Sequence, residues 1–182
     1  MDSERGFSLI EMLVVLAILG ILLAIAGLGS EGVERQRMSG ALREVFADLQ
    51  RVRQDAITRT STGTSRGAGI RFVSATSYIT FEFNDTNGDY QYVAAEELAG
   101  SSRTRTLSRG FSFTLDGASP MGTVIIFDKL GMPREVDWDP LAVGGNLRLV
   151  IQSTRLAATK CIAIGQARIR EGVLNGASCV AS

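Results

Sequence analysis

The sequence predicts an α+β protein: a long N-terminal helix, half apolar and half amphipathic, packed on a C-terminal antiparallel β-sheet head. Three observations carry that expectation. Residues 12–28 form an uncharged apolar run. Met38, Leu42, Val45, Leu49, Val52 and Ala56 follow a spacing of four and three, which is one helical stripe. From Gly69 onward, short β-prone runs alternate with turns rich in Gly, Asn, Asp and Pro.

The first run reads MLVVLAILGILLAIAGL and, with residues 7–11 included, reaches the roughly 20 residues needed to cross a bilayer core. Ala17, Gly20, Ala24 and Gly27 recur three and four apart within it. This places small residues on one face, where helices can approach closely in lipid, although Ala and Gly are also simply common in membrane helices. Beyond Gly32 the stripe takes over, with Arg35, Arg37, Arg43, Asp48, Arg51, Arg53 and Asp55 on the other faces. A single helix over about residues 7–59, weakest at 27–32, would be about 80 Å long. The polar run 60–67 ends it. Strands are expected at 69–73, 78–83, 90–94, 111–115, 124–127, 147–151, 161–164 and 167–170. The stretch that follows the helix is ample for one compact core.

Composition narrows the function. The 182 residues hold 19 Lys+Arg and 19 Asp+Glu, a formal net charge of zero, so the chain is no bulk trap for nucleic acid. It has no His, which removes the usual general base, the Ser-His and Cys-His dyads and the commonest metal ligand. No acid, base and nucleophile can be assembled from what remains, and no cofactor is expected. A phosphate-binding Gly loop ending in Lys-Ser/Thr is also missing. The chain reads as a non-enzyme.

Glu11 is the informative residue. A carboxylate in an apolar span costs several kcal/mol and marks function unless it has a partner. Three readings of the N-terminus compete: an ordinary signal anchor, a secretory signal cleaved after Ala24-Ile25-Ala26, and a processed membrane precursor. Neither of the first two has a use for Glu11. The octapeptide Arg5-Gly6-Phe7-Ser8-Leu9-Ile10-Glu11-Met12 resembles type IV pilins and pseudopilins, whose leaders end in Gly, followed by Phe and by Glu at the fifth residue of the cleaved chain. The resemblance implies a prepilin peptidase cut between Gly6 and Phe7, N-methylation of Phe7, and pairing of Glu11 with the Phe7 amine of a neighbouring subunit. The implied organisation is a leader at 1–6, a transmembrane and assembly helix at 7–29, its amphipathic continuation at 30–59 and a periplasmic or extracellular β-rich head at 60–182. Partners implied are the peptidase, other pilins in a hetero-oligomeric filament and an inner-membrane assembly platform. The place implied is the bacterial inner membrane, single-pass, and then the filament. Many relatives carry a Pro near the end of the span, where this chain has Ala26-Gly27-Leu28-Gly29.

The head resembles the GspH/FimT group of minor pilins and pseudopilins at residues 124–131 (VIIFDKLG) and in the hairpin at 162–172. That group includes DNA-uptake pilins with a Gly-Arg-x-Arg motif. Here Ala167-Arg168-Ile169-Arg170 lacks the Gly. On a strand, Arg168 and Arg170 would share one face and could clamp phosphates, or they are ordinary exposed strand residues. Asp85, Asn87 and Asp89 alternate as calcium ligands do, with Glu96 twelfth from Asp85, but the Gly is misplaced and Asn87-Gly88 is also a hairpin turn. Cys161 and Cys179 form one disulfide if the head is exported, or stay as two buried thiols. Trp138, Pro133 and Pro140 read as a loop on the core.

Overall fold

The computed structural model describes residues 8–28, 30–58, 65–86, 92–135, 147–157, 159–176 and 178–180, with the backbone alone for 25–28, 30, 65 and 66. The leader, Gly6, Phe7, Asn87, Asp89, Trp138 and Pro140 lie outside those residues. The chain divides into two compact units, residues 1–36 and 37–182.

In the first unit, α1 spans Leu9–Leu28. Ser30–Thr58 is helical as well and is called α2; Gly29, between the two, lies outside the described residues. Gly32 lies inside α2, one residue past Glu31, which pairs with Arg35 one turn on.

The second unit is built around residues 37–58 of α2. Met38, Leu42, Val45, Leu49, Val52 and Ala56 are all buried, the stripe seen in the spacing. They close one core against two antiparallel sheets, the helix-on-sheet arrangement the sequence predicts. Among the described residues ten strands make them: β1 (Ser65–Ser74), β2 (Ser77–Asp85), β3 (Arg103–Thr106), β4 (Phe111–Leu115), β5 (Val124–Phe127), β6 (Pro133–Arg134), β7 (Leu147–Ser153), β8 (Thr159–Ile164), β9 (Ile169–Asn175) and β10 (Ser178–Val180). The first sheet runs β3-β2-β1-β5-β6 and the second β10-β9-β8-β7-β4. The β1–β2 turn joins them, because Ala75 O accepts from Phe113 N–H at 2.6 Å and Thr76 O from Leu107 N–H at 2.8 Å.

Where the expected strands fail, the reason is local. Of the strand expected at 90–94, residues 90 and 91 lie outside the described residues, Tyr92 and Val93 are in no strand, and Ala94–Glu96 is a 3₁₀ turn. Tyr92 stacks on Phe81 (centroids 4.9 Å apart), and its hydroxyl donates to Glu97. The burial that suggested a strand is met by a ring contact. β3 reads RTRT with every residue exposed, so it carries no apolar alternation to detect. Arg105 on it reaches Asp48 of α2 at 3.4 Å.

The first sheet buries both faces. Ala68, Ile70, Phe72 and Tyr78 face α2, while Phe81, Phe83 and Ile126 form a second cluster. Gly67 and Gly69 sit in register with Phe83 and Phe81. A Cβ on Gly69 would fall 2.6 Å from the Phe81 ring and 2.9 Å from the carbonyl of Ile125. Gly69→Ala is therefore expected to destabilise the full-length protein in detergent by about 1–3 kcal/mol through overpacking, read as a lower denaturant midpoint at unchanged slope.

Candidate functional site

Glu11 stands in the first turn of α1, where its N–H donates to Ser8 O at 3.0 Å. Its carboxylate is exposed, and so is every apolar side chain described around it, from Val15 at 46% to Leu9 at 83%. A helix that is apolar on all sides and covered on none needs an apolar environment from outside the subunit. Ala17, Gly20 and Ala24 lie on α1 as well, and a Cβ on Gly20 would meet nothing within 4 Å. Glu11 and Gly20 are about two and a half turns apart, so the carboxylate and the small residues occupy opposite sides. One neighbouring helix cannot cover both. Among the described residues, no helix is long and apolar enough to cross a membrane. The side chains of the last turn of α1 are outside the description, and the remaining run, 9–24, falls short of about 20 residues.

The head positions its own candidates. Cys161 on β8 and Cys179 on β10 form a disulfide with their Cα atoms 5.8 Å apart. Two strands with a third between them lie about 9.6 Å apart in a flat sheet, so β10 curls over β9. Buried Gly172, in register with Cys161, leaves room for the crossing. Closing a loop of 18 residues contributes about 3 kcal/mol by constraining the unfolded chain.

Arg168 and Arg170 do not both lie on a strand. The tight turn closed by Gly165 N–H to Arg168 O (3.0 Å) delays β9 until Ile169, so Arg168 is an exposed turn residue and Arg170 a half-buried strand residue. Asp85 is buried at the end of β2, and Glu96 Oε1 accepts from the Thr86 N–H and hydroxyl, both at 3.2 Å. Asn87 and Asp89 are outside the described residues, among which no group of three carboxylates or thiols is placed to hold a metal.

The sequence reading missed three polar residues that hold the head together. Asp48 of α2 accepts from the Tyr78 hydroxyl at 2.9 Å as well as from Arg105. Arg53 donates to Gly131 O at 2.9 Å and Ala167 O at 3.2 Å, tying α2 to a turn from each sheet. Asp128 is buried and paired with Arg134 at 2.9 Å. Only Asp128 left a signal, as the Asp of an Asp-Lys-Leu-Gly turn. An open cleft of about 360 Å³ between α2 and the first sheet is lined by Asp48, Asp55 and Glu82 against Arg51 and Arg103, a set of mixed charge.

With these positions in hand, one comparison is informative. Residues 1–27 match the family described as the prokaryotic N-terminal methylation motif, the prepilin signal of type IV pilin-like proteins. The match takes in Gly6, Phe7, Glu11 and most of α1. No curated protein and no solved structure matches the chain. The motif points to a structural, pilin-type subunit and not an enzyme. It implies a membrane-anchored precursor, processing by a prepilin peptidase and assembly with other pilins.

Two tyrosines, Tyr78 buried and Tyr92 half-buried, give the head a pH signature. Burial pushes the Tyr78 hydroxyl well above its ordinary value of about 10, and the Asp48 carboxylate pushes it further. Burial and Glu97 do the same to Tyr92. Native tyrosines keep their protons where unfolded ones lose them, so stability holds below about pH 10 and falls as pH rises above it. Denaturant titrations from pH 8 to 11.5 should show that fall, and Tyr78→Phe should make it shallower. Equal slopes for the two proteins would show that Tyr78 is not the group responsible.

Proposed function

We propose that this chain is a minor pilin or pseudopilin of the GspH/FimT type. It is anchored in the bacterial inner membrane by α1 with the head on the periplasmic side, cut between Gly6 and Phe7, methylated at Phe7, and drawn into a type IV pilus or a type II secretion pseudopilus by an assembly platform. The observation that carries this reading is Glu11: a lone carboxylate on a helix with every described apolar side chain exposed, inside a matched prepilin signal. In lipid or in a filament core that charge is costly until it meets a cation. Cleavage creates one about a turn away, on a Phe7 amine, and a neighbouring subunit can present it. The small-residue side of α1 then packs against a different neighbour. The missing Pro and the large β-rich head favour a minor subunit over the major one.

DNA contact through Arg168 and Arg170 is the alternative function for the head. Two guanidiniums offer about two phosphate contacts, a weak and steeply salt-sensitive grip, and the turn at 165–168 separates their settings.

Glu11→Ala should leave processing at Gly6 nearly complete and the head as stable as in the parent, yet cut incorporation into sheared filaments about tenfold or more. Gly20→Leu should do the same, because open space surrounds Gly20 in the single subunit. Normal incorporation of Glu11→Ala would remove the charge-pairing account.

A further inference from the structure

At the end of α2 three chain segments converge on Arg53. Its guanidinium holds Gly131 O and Ala167 O, and a Cβ on Gly131 would lie 2.7 Å from Ile57 Cδ1. The turn between β5 and β6 is therefore seated on the last turn of α2, beside the β8–β9 turn. It is also rigid. Asp128 Oδ1 accepts from the N–H groups of Leu130 and Met132, both at 2.9 Å, Asp128 N–H donates to Met132 O at 3.0 Å, and Oδ2 is held by Arg134. Gly131 supplies the positive φ of 72° that the turn requires.

What this turn displays is apolar. Leu130 is 63% exposed, with Met132 and Ile57 at 38% each beside it. Single exposed apolar residues are ordinary, but two on a preorganised turn with a third on the helix beneath it are the makings of an anchor. The frame is cationic. Lys129 and Arg168 are exposed, and neither is ion-paired among the described residues. Arg53 is spent on carbonyls and keeps its charge. The carboxylate of the turn, Asp128, is buried and neutralised by Arg134, which leaves Glu135, past β6, as the nearest exposed acid along the chain.

We infer that the patch of Leu130, Met132 and Ile57, framed by Lys129 and Arg168, is a docking surface for an acidic, amphipathic protein segment: an apolar side chain enters between Leu130 and Ile57, and carboxylates meet the two cations. The apolar centre favours protein over nucleic acid, since a phosphate backbone gains nothing from Leu130. Charge complementarity sets the orientation and encounter rate, and the apolar anchor supplies the affinity. The surface lies in the head and stands independently of the assembly role of α1.

The test uses the full-length chain in detergent with three labelled probes: an amphipathic peptide of Leu and Glu, the same peptide with Lys for Glu, and a short DNA duplex. Anisotropy should show the Glu peptide binding at least about tenfold tighter than the Lys peptide. Leu130→Ser should weaken it about tenfold, as should Lys129→Glu with Arg168→Glu. Met121→Ser, a similarly exposed apolar site before β5, should leave it unchanged. The exposure of Leu130 keeps the first variant folded, and circular dichroism checks this. Equal binding of the two peptides, no binding of either, or indifference to Leu130→Ser overturns the proposal. Preference for the duplex with loss only in the charge variant assigns the cations to nucleic acid and overturns it too.

Discussion

The head depends on one stripe of α2. Met38, Leu42, Val45, Leu49, Val52 and Ala56 are the side chains on which both sheets close, so neither sheet has a complete core without the helix. Burying one aliphatic side chain of that size contributes about 1.5–3 kcal/mol, and the stripe repeats it at each turn. The polar residues then fix the setting. Asp48 ties α2 to β2 and β3, and Arg53 ties it to a turn from each sheet. Within the head, these contacts set residues 37–58 of α2 against both sheets.

The N-terminal unit obeys a different constraint. α1 has nothing of its own to bury against and one carboxylate that an apolar environment penalises. In the proposed function both demands are met outside the subunit, the first by lipid or by other helices and the second by the Phe7 amine of a neighbour. Glu11 and Gly20 on opposite sides of α1 make that dependence two-sided, which suits a helix surrounded by copies in a filament. The head folds on the stripe and its clamps, and the proposed assembly role falls on other residues, Glu11 and the small side of α1.

Much of this was legible in the residues because the signals were periodic. The α2 stripe is plain at spacings of four and three. β4 and β5 fall at 111–115 and 124–127, where bulky apolar residues are bounded by Gly turns. The rest was hidden for physical reasons. β3 is polar and exposed, held by pairing to β2 and by Arg105, neither of which leaves a pattern in four residues. Tyr92 looked like a strand residue because it is aromatic and its neighbour apolar, but its ring is buried by Phe81 and Phe83 across space. The division into two sheets follows from the pairing of β4 with β7, a long-range choice that local spacing does not encode. Of the site residues, Glu11 was conspicuous as a charge in an apolar run, whereas Arg53 and Asp48 resemble any other charge on an amphipathic helix.

The central claim is that the N-terminus is processed to expose an amine for Glu11. Intact mass and N-terminal sequencing of the protein from its native membranes test it most directly. The account predicts a chain that begins with N-methylated Phe7. A chain that begins at Gly27, or one that keeps Met1, would contradict it and leave Glu11 without its cation.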